Sequence, residues 1–174
     1  MSIKRVVKMG NPQLASPSLL VDNPTVQSTF LDQLIVDMLD TMHEKGGVGI
    51  AAPQIGCNQR VIMFGFEDSD RYPDESSVPF TVLINPTFKP LSNELIDGWE
   101  GCLSVPGLRG LVARFARIEY AGFDQFGQFI TRTAEGFHAR VLQHEYDHLD
   151  GILYPQRIKD LHYFGYEDEL TYRG

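Results

Sequence analysis

The sequence predicts an α+β fold: antiparallel β-sheets around a central helix that carries an HExxH motif, with a second helix near the N-terminus. Three observations predict it. Two segments repeat their apolar residues at helical spacing, 24–45 and 134–149. Between them, short β-branched and aromatic runs are separated by turn residues. No strand–helix–strand crossover is visible, which favours antiparallel pairing.

The chain opens with an irregular arm to about Asn23, punctuated by Pro12, Pro17 and Pro24, with Val6, Leu14, Leu19, Leu20 and Val21 as its expected core anchors. Asn23-Pro24 then opens the first helix, with Asn23 or Thr25 as cap. Phe30, Leu31, Leu34, Ile35, Met38, Leu39 and Met42 form its core-facing stripe, and Lys45-Gly46-Gly47 ends it. Strands are expected at 61–66 and 80–84, joined by a polar surface loop over 67–78, and Asn85-Pro86 closes the second. Further strands are expected at 111–121 and 128–133, with Asp124-Gln125-Phe126-Gly127 as a hairpin turn. Thr133 is the expected cap of the second helix, which must stop at Asp150-Gly151.

All 174 residues are read as a single catalytic domain, with 161–174 as a C-terminal tail. Apolar content of 43% and charged content of 22% are ordinary for a globular chain, and that length buries a core without staples. A net charge of −8 argues against DNA or anionic membranes as direct partners. Two cysteines make no disulfide scaffold. The N-terminus has a basic start but no apolar stretch behind it, so the expectation is a cytoplasmic protein without a signal peptide or membrane span.

Function is written in His144-Glu145-Tyr146-Asp147-His148. Residues at i and i+4 of a helix share a face, so the two imidazoles can hold one cation and Glu145 can serve as general base. The competing reading is a surface helix that matches the pattern by chance. Against it, the motif follows Val141-Leu142 inside a core-facing helix, where buried imidazoles need partners.

A catalytic site needs a third protein ligand. His43, His138 and His162 are badly placed, and Glu167 and Glu169 are weak candidates at the far end. Cys102, in Glu100-Gly101-Cys102-Leu103-Ser104, is better: a thiolate suits a divalent metal, although buried cysteines are usually inert. Glu100 and Arg114 either pair to hold this loop or stand as two surface charges, and Arg109 meets substrate or merely solvates an edge. The glycine-rich stretch 46–56 lacks the Gly-Lys-Ser/Thr ending of a phosphate loop and is better suited to admitting a peptide backbone. Its Gln54 offers an amide donor, or only a turn-stabilising hydrogen bond.

Together these stretches resemble the peptide deformylase family, whose GxGxAAxQ, EGCLS and HExxH motifs stand here at 47–54, 100–104 and 144–148, in that order and intact. The resemblance extends from the Lys-Met-Gly-Asn-Pro arm to Ile152-Leu153-Tyr154-Pro155. It implies hydrolytic removal of the N-formyl group from the initiator methionine of nascent polypeptides, with release of formate. It implies Cys102, His144 and His148 as metal ligands, Glu145 as general acid/base, and Gln54 with the Leu103 N–H as the oxyanion hole. One divalent ion per chain is expected, Fe2+ physiologically, with Zn2+, Ni2+ or Co2+ able to replace it. Val48 and Val141 are the expected walls for the methionine side chain, with Phe137 and Leu142 as further candidates, and Gly49 and Gly107 are expected to pair with the peptide backbone. Formylmethionyl peptides are the expected partners, with transient contact to the ribosome, in a bacterial cytoplasm. Some members dock on the ribosome through a basic C-terminal helix. The acidic, poorly helical tail from Leu161 departs from that pattern. Two rivals are an HExxH zinc peptidase, which would need a ligand downstream of His148, and a non-catalytic metal-binding protein.

Overall fold

A computed structural model describes residues 3–26, 28–67 and 72–170. It has the expected α+β architecture: two antiparallel sheets with one helix held between them. Positions 68–71 of the expected surface loop, and 171–174 of the tail, lie outside the described residues.

The first sheet has five strands: β1 (Gly49–Ala51), β2 (Val61–Phe66), β3 (Val78–Pro90), β6 (Arg117–Phe123) and β7 (Phe129–Glu135), in the order β1-β2-β3-β6-β7. The second has β4 (Leu95–Cys102), β5 (Val105–Phe115) and β8 (Phe164–Tyr166), in the order β4-β5-β8. Helix α1 (Thr29–Glu44) packs on β1, and helix α2 (Gly136–Leu149) touches β1, β2, β5 and β7. Ala139 and Leu142 of α2 are fully buried with Ile62, Phe64 and Leu83 of the first sheet. Met38 and Met42 of α1 are fully buried with Ile50, Val61 and Met63. Each methionine so buried contributes roughly 2 kcal/mol by area.

Several boundaries differ from expectation, each for a physical reason. Asn23 does not cap α1. It sits at φ 49 in a turn whose Val26 N–H reaches the Asn23 carbonyl, and Ser28 caps instead, accepting from Leu31 N–H at 3.1 Å. Phe30 lies in the first turn, beyond the reach of the sheet, and is 59% exposed rather than core. Leu14 anchors the arm as expected, but Leu19 and Leu20 face solvent. Helix α2 starts at Gly136 rather than 134, because Thr133 and Ala134 are held in β7 opposite Glu119 and Ile118.

Asn85-Pro86 does not close β3. The strand continues through a bulge there, with Asn85 in the left-handed region at φ 51. The Asn85 side chain fixes that bulge. Its Oδ1 accepts from Val21 N–H at 2.9 Å and its Nδ2 donates to the Val21 carbonyl at 3.0 Å, lashing the arm to the sheet. The run 111–121 is two strands, because the chain breaks pairing at Ala116. The described part of the tail, to Leu170, is not helical: after a 3-10 turn at Leu161–Tyr163, β8 adds to the edge of β5. Among the described residues no helix is long and apolar enough to cross a membrane.

The bulge gives the first prediction. Asn85→Ala loses both bonds and puts a Cβ-bearing residue without compensation at positive φ, which should cost about 2–3 kcal/mol. Asn85→Gly keeps the dihedral and loses only the bonds, so its urea midpoint should fall between those of Asn85→Ala and the native chain. Equal midpoints in all three would refute this account of the bulge.

Candidate metal centre

Helix α2 carries six polar residues at buried positions: Arg140, Gln143, His144, Glu145, Asp147 and His148. Four are satisfied by the second sheet and its flanks. Gln143 exchanges two 3.0 Å bonds with the backbone of Phe115. Arg140 donates to Glu100 at 2.9 Å, to the Val112 carbonyl at 2.8 Å and to the Ile96 carbonyl at 2.6 Å. Asp147 accepts from Arg114 at 2.6 Å and Arg157 at 2.7 Å. The His144 Nδ1 pairs with Glu100 Oε2 at 2.8 Å. Among the described residues, only Glu145 Oε2 and His148 Nδ1 on this helix are buried without a hydrogen-bond partner.

Glu100 is the hub. Arg114 grips both of its oxygens at 2.9 Å, so the ion pair weighed in the sequence exists, and it is buried. Burial works to raise the Glu100 carboxyl, but hydrogen bonds from Arg114 and His144 outweigh it and hold the group well below the usual carboxylate range. Glu100 therefore stays ionised and directs the remaining nitrogen of His144, Nε2, away from itself.

Cys102 closes the cluster. It lies at the end of β4, where the ladder shifts register between Gly101 and Cys102 and the chain turns back to pair Cys102 with Val105. That turn brings its Sγ to 3.4 Å from His148 Nε2. One ligand atom from each of Cys102, His144 and His148 lies within 4.8 Å of the others, and all three residues are buried. The donors fit a metal. In a tetrahedral site with metal–sulfur and metal–nitrogen bonds of about 2.3 and 2.0 Å, the sulfur–nitrogen edge is about 3.5 Å, close to the spacing observed here. Burial opposes charge on His144, yet Cys102 and Glu100 raise its proton affinity well above the ordinary histidine value. Groups that stabilise a proton there also favour a cation in its place. Burial lowers His148 well below the ordinary value, leaving a neutral imidazole suited to ligation.

Gln54 stands opposite. Its Oε1 accepts from Ala51 N–H at 2.8 Å, which fixes the amide and turns Nε2 toward Ser104 Oγ at 3.2 Å and Cys102 Sγ at 3.5 Å. The turn-stabilising bond and the aimed donor are thus two ends of one side chain. Val48, Gly49, Leu103, Val141 and Glu145 line a cavity of about 30 Å³ beside the cluster, room for about two waters. Phe137 lines it too, whereas Leu142 is in the core beneath. Gly107 lies outside this cavity, in an adjoining groove, and its carbonyl accepts from Glu167 N–H at 2.9 Å. Burial pushes the Glu145 carboxyl up to about 7. A Cβ on Gly49 would stand 2.5 Å from Glu145 Oε1, so this glycine is what lets the carboxylate lie against strand β1.

The other histidines lie elsewhere: His138 bonds Tyr120 Oη at 3.2 Å, His162 bonds Asp160 at 2.8 Å, and His43 is exposed at the end of α1. Glu167 is no third ligand, since it pairs with Arg109 at 2.9 Å. Sequence reasoning missed Arg140, Tyr72 and Ser104. Arg140 is one turn before His144 on the same helix, a position that could have flagged it. Tyr72 sits in the polar loop and gives no such signal.

Comparison with known proteins follows this geometry. A sequence model described as "Polypeptide deformylase" matches residues 3–163. Peptide deformylase 1 of Nitrosomonas europaea is 56% identical over 168 residues, 97% of this chain and 94% of that protein. Peptide deformylase 1 of Bordetella pertussis is likewise 56% identical, over 171 residues, with 97% and 94% covered. Among solved structures, class I type b peptide deformylase of Acinetobacter baumannii, bound to Met-Ala-Ser, superposes with a TM-score of 0.86 at 40% identity, covering 91% of this chain and all (100%) of that one. Motifs, cluster and relatives agree, and the chain belongs to the peptide deformylase family.

Proposed function

We propose that Cys102, His144 and His148 hold one divalent metal, with Fe2+ as the physiological ion, and that the site deformylates N-formylmethionyl peptides as they leave a bacterial ribosome. The chain's membership of a metallohydrolase family is established by its relatives, and what is proposed is the part each residue plays. The carrying observation is the pairing of a buried thiol and two imidazoles with an unpartnered buried carboxylate oxygen on Glu145. One soft and two borderline donors suit Fe2+, Zn2+, Ni2+ or Co2+ alike, and Fe2+ is preferred by resemblance to the family. A cation so held acidifies water and polarises a carbonyl.

The rest is done by the chain. Glu145, raised by burial toward neutrality, takes a proton from water as the water oxygen attacks the formyl carbon, then delivers it to the departing amine. Negative charge grows on the former carbonyl oxygen, and the Gln54 amide with the Leu103 N–H donates to it. Gln54 costs little reorganisation, because its other end is already tied to Ala51. The cavity of about 30 Å³ supports selection of a one-carbon acyl group by exclusion of larger ones. Val48, Val141 and Phe137 offer the apolar wall for the methionine side chain, and Gly49 and Gly107 offer backbone to the peptide. The peptidase reading is disfavoured, since the third donor comes from β4 and not from downstream of His148. Residues 1–174 act in this reading as one catalytic domain in the cytoplasm.

Two predictions test these roles. Metal-loaded protein should release formate from formyl-Met-Ala-Ser. Glu145→Gln should lower kcat about 100- to 10,000-fold while keeping its metal, whereas Cys102→Ala should lose the metal itself, as read by elemental analysis after gel filtration. Full activity with no bound metal would sink the assignment. Gln54→Leu should cost about 100- to 1,000-fold in kcat with metal content and KM nearly unchanged, and a fall confined to KM would instead make Gln54 a ground-state binding group.

A further inference from the structure

Beside the metal centre lies a second, larger groove of about 1140 Å³, which shares Cys102 and Leu103 as a wall with the catalytic cavity. A peptide whose formyl end lies at the cluster can therefore run on into it. Its other walls are the N-terminal arm, the end of α1 and the start of β5. The arm is not loosely draped. Val7 N–H donates to the Gln54 carbonyl and Met9 N–H to the Ser104 carbonyl, both at 2.8 Å, so the arm is stitched to the two loops that form the site.

This fixes the groove's charge. Arg5 and Lys8 from the arm and Lys45 from the end of α1 line it, all exposed, and among the described residues none of the three forms an ion pair. Two further cations are already committed. Lys4 pairs with Asp37 at 3.1 Å, and Arg109 pairs with Glu167 at 2.9 Å beneath the Tyr72 ring. Of the two acids lining the groove, Glu167 is thus neutralised and Asp74 remains. Three uncommitted cations against one anion is a local excess of positive charge in a chain whose net charge is −8. An acidic surface with a basic channel at its active site attracts and orients anionic ligands there.

We propose that this groove is a subsite for acidic side chains on the residues that follow the formylmethionine, so that the enzyme prefers nascent chains with acidic starts. The inference rests on the deformylase reading above. Each extended residue advances about 3.3 Å, so in this proposal the residues beyond the first two of a bound peptide run along the groove that Arg5, Lys8 and Lys45 line. Exposed pairs are individually weak, so the effect is a sum over two or three of them, about 10-fold in all, and sensitive to salt.

The test compares formyl-Met-Ala-Glu-Glu with formyl-Met-Ala-Lys-Lys on the metal-loaded full chain, with formyl-Met-Ala-Ser as the neutral reference. The acidic peptide should win by about 10-fold or more in kcat/KM at low salt, through KM. The ratio should shrink at high salt, and should fall to near one in Arg5→Gln/Lys8→Gln/Lys45→Gln. Calorimetric affinities of the unformylated peptides Met-Ala-Glu-Glu and Met-Ala-Lys-Lys should follow the same order, and they read the groove without catalysis. Formate released from both peptides at equal efficiency, or a preference that survives in the triple variant, would overturn the subsite. No formate from any peptide alongside a clear difference in affinity would overturn the deformylase reading and leave the subsite standing.

Discussion

The buried Glu100 carboxylate is the constraint on which the rest of the site depends. It stands on β4 of the second sheet, and it ties that sheet to α2: Arg114 of β5 grips it from one side, and Arg140 and His144 of the helix from the other. A buried carboxylate is tolerable only when ionic and hydrogen-bonding partners offset its desolvation, and removing one partner of a buried pair typically costs about 3–5 kcal/mol. The network therefore acts as one unit. It orients His144, spaces the helix from β4, and so decides where Cys102 meets His148.

That arrangement explains how a helix lined with charged residues can occupy the centre of the molecule. Among the described residues, the polar groups on its buried side are taken up by the second sheet, its flanks and Cys102, except Glu145 Oε2 and His148 Nδ1. The first sheet supplies the apolar support below, through Ile62, Phe64 and Leu83. Apolar support and the donor cluster thus lie on different faces of one helix.

The sequence made the helices, β2 and the hairpin at 124–127 legible, because each is specified by its own period or turn chemistry. The two-histidine motif and Cys102 were legible for a related reason: ligand types are few and their spacing on a helix is fixed. What stayed hidden depends on partners far along the chain. Strand β4, with Asp97, Gly98 and Glu100 among its residues, has no alternating pattern of its own and is a strand because β5 pairs with it. Strand β1 looked like a glycine loop because only three of its residues pair. The break between β5 and β6 falls at Phe115-Ala116-Arg117, where no glycine or proline announces it. Arg140 carries no signal of its partners in the sequence around it, because those carbonyl and carboxylate groups stand some 28 to 44 positions away.

The stitching of the arm has a consequence for how the molecule is made. Chains emerge from synthesis N-terminus first, so the arm is made before the loops at Gln54 and Ser104 and must wait for them before its backbone can be satisfied. The helix that carries the histidines comes later still, at Gly136–Leu149. The chain contains all three donors only once residue 148 has been made. The thiol on β4 therefore precedes both imidazoles in synthesis, and the set of donors is completed by the helix.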